Sequence, residues 1–244
     1  MVEGLPEVVY YANPARAESV RLLLTIGGHS FTDTLLPDIP AQAASLRWGA
    51  VPNLRLANGQ VLGQTQAILR YVGRSVALGG VPLTPEDPVQ CALVDEALAF
   101  VADDLWRRMA PSDLGLGWIP PDKLTSVATD AGPEAEAIAE ELMAPGGRLH
   151  TMLDALESNI GGSDSVLSTG ALSTADVLIF TALGWFAAGF MTTKVNPSTL
   201  LGGRPKLTAL VGRVGALPQV REYYDSAPKR KLIMTHVYRE WAKL

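Results

Sequence analysis

A valine–proline pair and a nearby helix start are the most informative features of the chain. Val51-Pro52 stands immediately before a short β-type run. An X–Pro bond prefers the trans form by only about 0.5–1 kcal/mol, so a folded site can hold it cis. In that form the backbone N–H and C=O of Val51 turn outward and can pair with an extended peptide, as the edge of a strand does.

Gln64 and Thr65 open the apolar-periodic segment AILRYVGRSVAL. Free backbone N–H groups and a hydroxyl at a helix start bind anions. An ordinary helix cap is the alternative interpretation, and both can hold together. A strand edge beside a carboxylate site indicates binding of a small peptide with a free amino-acid end.

Composition limits the class of partner. Of 244 residues, 48% are apolar and 18% charged, which is typical of a compact folded protein. A net charge of −5 without a basic stripe argues against nucleic acid. One cysteine, no signal-peptide pattern and no apolar run long enough to span a bilayer predict a reducing, cytoplasmic location without a membrane partner. Three scattered histidines predict no metal site.

The first third of the chain predicts a small α/β domain, which we assign to residues 1–80. Apolar periodicity and turn residues carry the prediction. The predicted elements are a strand at 8–11, a helix from 16 to a Gly-Gly stop, a strand at 31–35, an irregular stretch at 37–49, a hairpin turning at 57–59 and a helix from 64.

The rest of the chain predicts an all-helical domain, residues 88–244, after a Gly- and Pro-rich linker at 81–87. The run from Val177 to Phe190 predicts a buried core helix. Ser173 and Asp176 have capping-box spacing just before it, which indicates a role in folding. Helical periodicity marks the segments 88–109, 134–160, 174–190 and 205–216.

Four ordered motifs stand out along the chain: YYANPARAE from Tyr10, the Val51-Pro52 and Gln64-Thr65 pair, GALSTAD from Gly170, and RPKLTALVGRVGALPQVREYYDS from Arg204. They resemble those of the cytosolic glutathione transferases, and of the tyrosine-using (mu, pi, alpha and sigma-like) branch in particular. The resemblance covers essentially the whole chain. It implies a thioredoxin-like N-terminal domain that binds glutathione, an all-helical C-terminal domain with a second-substrate site, a homodimer and a role in detoxification.

The resemblance implies that Tyr10 is the catalytic residue. A free thiol has a pKa of about 8.5, and making it mostly thiolate at neutral pH takes roughly 2.7 kcal/mol. One hydrogen bond to a charged acceptor supplies about 1.5–3 kcal/mol. Tyr10 and Tyr11 face opposite sides of a strand, and the family's spacing to Arg-Ala-Glu selects Tyr10. Arg16 would lie beside bound glutathione, with a solvated charge as its alternative.

The same resemblance implies the other glutathione contacts. Val51 would pair with the cysteinyl backbone, and Pro52 would fix that geometry. Gln64 and Thr65 would take the γ-glutamyl carboxylate. For Val51 and Pro52 the alternative is a plain trans turn, and for Gln64 and Thr65 it is a simple helix cap.

The chain departs from the family at the glycyl carboxylate. The positions of the family's usual Trp and Lys fall near Ile39 and Ala43, and neither of these side chains can bind a carboxylate. Arg47 is the nearest cation and the expected substitute. Losing a charge-assisted contact costs about 1.5–3 kcal/mol, which is tenfold to a hundredfold in affinity.

Two residues are expected to work across a subunit interface. In many relatives an acid of the partner subunit meets the γ-glutamyl ammonium, and the pi-type pattern places Asp103 there. Asp104 is the alternative register, and a solvated helix face is the alternative for both. Trp48 matches an aromatic that pi-type enzymes insert into the partner, although packing within its own domain is equally open.

The predicted function is transfer of glutathione, the co-substrate, to an apolar electrophile. Trp106, Met109 and Leu114 lie where the family builds its second-substrate pocket, although a helical apolar stripe is usually core. A glutathione-dependent isomerase of prostaglandin type is one alternative, since it uses the same thiolate. A non-catalytic binding or structural protein is the other, favoured by the missing Trp and Lys.

Overall fold

A four-stranded sheet forms the first part of the protein. The computed structural model describes residues 5–36, 40–108, 140–142, 144–187 and 196–226, together with 137, 241 and 243. The sheet has the order β2-β1-β3-β4, with β1 parallel to β2 and the other neighbours antiparallel. Its strands are β1 (Glu7–Tyr11), β2 (Thr32–Leu36), β3 (Asn53–Arg55) and β4 (Val61–Gly63).

Two helices and two short 3-10 segments complete this part, which confirms the predicted α/β class. α1 (Ala15–Ile26) ends at the predicted glycine stop, where Gly28 adopts a φ of +69°. α2 (Thr65–Ser75) follows β4. The 3-10 segments, at Pro40–Ser45 and Arg47–Gly49, occupy the stretch predicted to be irregular.

A small antiparallel hairpin of β5 (Ala77–Leu78) and β6 (Val81–Pro82) follows α2. Two-residue strands lie below the length that apolar alternation can reveal. β6 lies within the predicted linker, and the division at 81–87 stays a prediction.

Helices make up the remainder, as predicted. The first, α3 (Pro88–Ala99), continues through a π-helical segment, Phe100–Leu105, into a last turn, α4 (Trp106–Arg108). The others are α5 (Arg148–Asn159), α6 (Thr174–Ala187), α7 (Pro197–Leu201), α8 (Pro205–Gly215) and α9 (Pro218–Asp225).

The predicted continuous helix at 134–160 is wrong. A turn at 144–146 precedes α5, and Gly146 there has a φ of +78°. Pro145 has no N–H to donate, and glycine readily takes the left-handed conformation, so the apolar period continues while the helix does not. The predicted core helix is confirmed over 174–187, and 188–190 lie outside the described residues.

α6 is the centre of the core, and all its residues are buried. It contacts α1 of the first part as well as α3 and α8, so both parts share one hydrophobic cluster. The predicted capping motif is confirmed at its start. The Asp176 carboxylate accepts from the Ser173 N–H at 2.6 Å, and Ser173 Oγ accepts from the Asp176 N–H at 3.4 Å. Within the described ranges, no helix is both long and apolar enough to cross a membrane.

Candidate functional site

Tyr10 lies where β1 leads into the loop before α1, with only 6% of its surface exposed. Its hydroxyl oxygen accepts from the Arg16 backbone N–H at 3.4 Å. Ala15 begins α1 with a φ of +36°, and Arg16 follows it in the first helical turn. No described residue accepts the Tyr10 hydroxyl proton.

Electrostatics keep the Tyr10 phenol protonated. Burial raises its pKa, and the positive charges of Arg16 and Arg21 with the Arg16 N–H bond offset this only in part. A protonated phenol is a hydrogen-bond donor. The N-terminus of α1, whose dipole favours negative charge, lies beside it.

Arg16 connects this corner to the helical part. Its guanidinium donates to the Ala102 carbonyl at 3.4 Å and lies 5.3 Å from the centre of the Trp106 ring. Both partners belong to the π-helical segment or the turn after it. Since π turns shift the register of a helix and are frequent at functional sites, this contact fixes the position of the segment against the first part.

The Val51–Pro52 peptide is cis, the form expected from the sequence. Asn53, buried at the start of β3, holds the loop before it. Its Nδ2 donates to the Ala50 carbonyl at 2.7 Å, and its Oδ1 accepts from the Arg47 N–H at 2.9 Å. Sequence reasoning missed Asn53, although an asparagine directly after proline in a buried strand is the signal that was there.

Gln64 takes a strained conformation at the start of α2. Its φ is +67°, and its side chain does not cap the helix. Positive φ outside glycine is uncommon and clusters at ligand sites. In the described ranges it occurs at Ala15, Trp48 and Gln64, and all three lie at turns around the residues predicted to bind glutathione.

A cleft of about 320 Å³ opens beside the start of α2. Asp103 Oδ2 accepts from Gln66 Nε2 at 2.7 Å, and Arg70 donates to Gln66 Oε1 at 3.3 Å. The cleft therefore offers cations, helical N–H groups and a carboxylate to one ligand, which suits an amino-acid zwitterion. Its lining residues are Arg16, Gln64, Thr65, Gln66, Ala67, Arg70, Ala102 and Asp103.

Other predicted contacts lie apart from this cleft. Tyr10, Val51 and Arg47 are not among its lining residues. The Arg47 guanidinium lies 5.4 Å from the centre of the Trp48 ring, and Trp48 is 72% exposed. Arg47 thus has a local partner, and its predicted role at the glycyl carboxylate stays a prediction.

Similarity to known proteins is spread along the whole chain. It is 28% identical over 243 residues to glutathione S-transferase alpha I of Oryctolagus cuniculus, covering 98% of this chain and 96% of that protein. It is 25% identical to glutathione S-transferase 1 of Ascaris suum, covering 91% and 97%. The chain is therefore similar, over almost its whole length, to proteins named glutathione S-transferase. No family model matches it.

Solved structures of glutathione transferases share the fold. The transferase of Ascaris lumbricoides aligns with a TM-score of 0.64 at 23% identity, over 93% of this chain and 98% of that one. The Pi-class transferase of Onchocerca volvulus aligns with a TM-score of 0.66 at 20% identity, over 94% and 96%. These likenesses confirm the predicted thioredoxin-like part and the helical part that follows it.

The residues predicted to bind the second substrate are only partly described. Trp106 is buried, 6.2 Å from the Trp185 ring and 5.4 Å from the Phe186 ring between centres. Trp106 belongs to the core, and its contact with Arg16 connects it to a residue that lines the cleft. Met109 and Leu114 lie outside the described residues. In the parts of the chain that are described, no group of three His, Cys, Asp or Glu side chains could hold a metal ion.

Proposed function

We propose that this transferase activates the thiol of glutathione as a thiolate through Tyr10 and adds it to an apolar electrophile. Four curated relatives bear the name glutathione S-transferase, which supports the transferase class. The sulfur forms a bond to the electrophilic carbon. Either a leaving group departs with its electrons from an aryl carbon, or the electrons of a double bond take up a proton from water.

The observation that carries this proposal is the geometry of the Tyr10 hydroxyl. It is buried, it accepts from the Arg16 N–H, and its proton has no acceptor in the described ranges. A phenol fixed in this way loses little freedom when it donates to a thiolate. Such a bond, at about 1.5–3 kcal/mol, supplies most of the roughly 2.7 kcal/mol that a two-unit fall in thiol pKa requires.

Glutathione would extend from the Tyr10 corner to the cleft beside α2. Val51 would pair with the cysteinyl backbone through its outward N–H and C=O, held by Pro52. Gln64 and Thr65 would bind the γ-glutamyl carboxylate, and the strained backbone of Gln64 supports a role in binding. The remaining proposed contacts are Arg47 at the glycyl carboxylate, Arg16 beside the peptide and Asp103 at the ammonium. The sequence predicts that Asp103 acts from the partner subunit, but it lines the cleft of its own chain, and we propose it for the ligand bound there.

We also propose a homodimer in which Trp48 inserts into the partner subunit. A tryptophan that is 72% exposed and held at a φ of +61° presents a large apolar surface. Trp48→Ala is expected to shift the protein from dimer to monomer in sedimentation velocity. An unchanged dimer would leave Trp48 as a surface residue of its own domain.

The test of catalysis is the thiol pKa of bound glutathione, measured by thiolate absorbance against pH. In the wild type we expect a pKa of about 6–7, and in Tyr10→Phe a return toward about 8.5. Activity toward an activated aryl halide should fall about tenfold to a hundredfold at neutral pH.

Tyr11→Phe is the matched control, since it removes a phenol from the neighbouring position, and its thiol pKa should equal that of the wild type. An unchanged thiol pKa in Tyr10→Phe would exclude Tyr10 as the donor. Absence of saturable binding by the wild type at millimolar glutathione would favour a non-catalytic protein.

A further inference from the structure

Arg21, on α1, is a fully buried cation that fixes the backbone around Tyr10. Its Nη1 donates to the carbonyls of Asn13 at 2.9 Å and Pro14 at 3.3 Å, and its Nη2 donates to the carbonyl of Tyr11 at 3.5 Å. These three carbonyls span the end of β1 and the loop into α1. One guanidinium therefore holds the whole connection between the Tyr10 hydroxyl and the helix start that contacts it.

Two carboxylates fix the guanidinium in turn. Its Nη1 lies 3.3 Å from Glu18 Oε2, and its Nε lies 3.0 Å from Asp33 Oδ2. Burial alone lowers the pKa of Arg21, but its neighbours Glu18, Tyr223 and Asp33 outweigh burial and raise that pKa. The guanidinium is thus charged at neutral pH.

Tyr223 brings the helical part into this network. It lies on α9, it is buried, and its hydroxyl donates to the same Glu18 oxygen at 3.3 Å. α1 and α9 pack directly against each other. The position of α9 is therefore transmitted to Arg21 through a carboxylate that both residues bind.

We propose that Arg21 is a positioning residue for Tyr10 and that Tyr223 extends this control to the helical domain. The inference rests on the proposed role of Tyr10. The Tyr10 hydroxyl meets the Arg16 N–H only if β1 ends and α1 begins at fixed points, and Arg21 holds the carbonyls between them. Arg21 also contacts Tyr10 directly, since its guanidinium carbon lies 5.9 Å from the centre of the Tyr10 ring.

An arginine is required because its donors form a planar fork. The guanidinium offers five N–H groups in fixed directions, whereas a lysine ammonium offers three on a flexible stem. Arg21→Lys keeps the charge beside Glu18 and Asp33 but cannot keep all the carbonyl contacts. This variant therefore tests positioning without leaving the carboxylates unpaired.

The experiment compares Arg21→Lys with the wild type in two measurements. The first is carbon NMR of Cζ-labelled tyrosine in the free protein, with the Tyr10 signal assigned through Tyr10→Phe. The second is the thiol pKa of bound glutathione. We expect the Tyr10 signal to move and the thiol pKa to rise by about half a unit or more. Binding of S-methylglutathione, which has no thiol, should change less than about threefold.

In Tyr223→Phe we expect the Tyr10 signal and the thiol pKa to move in the same directions as in Arg21→Lys, but by smaller amounts. If Arg21→Lys does not fold, Tyr223→Phe is the variant that tests the proposal. Val220→Ala is the matched control, since it removes buried volume from α9 but does not remove the Tyr223 hydroxyl. We expect it to leave the Tyr10 signal and the thiol pKa unchanged.

A folded Arg21→Lys with both measurements unchanged would overturn the proposal. Equal shifts in Val220→Ala and Tyr223→Phe would also overturn it, because they would indicate general loosening. If the wild type does not bind glutathione, the proposed function fails, and the NMR measurement alone still decides the positioning role.

Discussion

Two buried carboxylates hold two corners of this molecule, and they are held in different ways. Glu18, at the corner between β1 and α1, lies against the Arg21 cation. Asp176, at the start of α6, is surrounded by neutral donors instead. Its oxygens accept from the backbone N–H groups of Val166 at 2.7 Å and Ser173 at 2.6 Å. The first corner positions Tyr10, and the second fixes the central helix of the core.

The difference determines how each corner responds to a lost charge. Removing Arg21 takes a buried cation from Glu18 and Asp33, whereas Asp176 is stabilised mainly by hydrogen bonds, and the charge of Arg213 acts on it only weakly. Burial raises the pKa of Asp176 from 3.8 to about 6, and the hydrogen bonds from Val166 and Ser173 offset this only in part. The corner at the candidate site is thus a paired charge, and the corner of the fold is a carboxyl group that can take up a proton.

The largest expected effect is on stability, in Arg21→Met. Taking one partner from a buried ion pair costs about 3–5 kcal/mol, because a buried carboxylate then loses the cation that offset its desolvation. We expect the free energy of unfolding in urea to fall by about that amount.

Arg213→Met is the control for that loss. Arg213 pairs with Asp164 at 3.0 Å, but both side chains are about one third exposed. A pair of this kind contributes under about 1 kcal/mol. Equal losses in the two variants would show that burial does not distinguish them.

The next effect is a pH dependence at Asp176. Its pKa is raised in the folded state, so the stability it contributes is present below its ordinary pKa of 3.8 and is lost as the pH rises through about 6. A shift of roughly two units corresponds to up to about 3 kcal/mol. The difference in unfolding free energy between the wild type and Asp176→Asn should change by about this amount from pH 3.5 to pH 7. A difference that stays constant with pH would contradict the raised pKa.

The two corners also differ in how far the sequence predicts them. Ser173 and Asp176 are close in the chain, so their spacing alone indicates the capping motif that the structure contains. In the sequence, nothing about the spacing of Arg21 distinguishes it from the other residues of the predicted helix. Its partner Asp33 lies on a strand, and Tyr223, which donates to the same Glu18 that Arg21 binds, lies on a distant helix, so only the fold brings them together. Local hydrogen bonds can be predicted from spacing, and this buried network cannot.

The candidate site divides in the same way. The cis Val51–Pro52 peptide and the helix start after Gln64 could be predicted, because proline and helix-start residues act on their own backbone. Two other contacts could not be predicted. These are the hydrogen bond from Asn53 to the preceding loop and the contact of Arg16 with the π-helical segment. Each depends on where a turn places a side chain, and apolar periodicity carries no such information.

The smallest effect on stability is expected at Asp103, an exposed carboxylate that contrasts with both buried ones. Asp103→Asn should change the unfolding free energy by less than about 0.5 kcal/mol. It should nevertheless raise the Kd for glutathione about tenfold, because a hydrogen bond to a charged group contributes about 1.5 kcal/mol or more. Calorimetry with glutathione and with its analogue lacking the amino group separates the ammonium contact from the rest. Asp104→Asn is the matched neighbour, and a larger loss there would assign the ammonium to the alternative register.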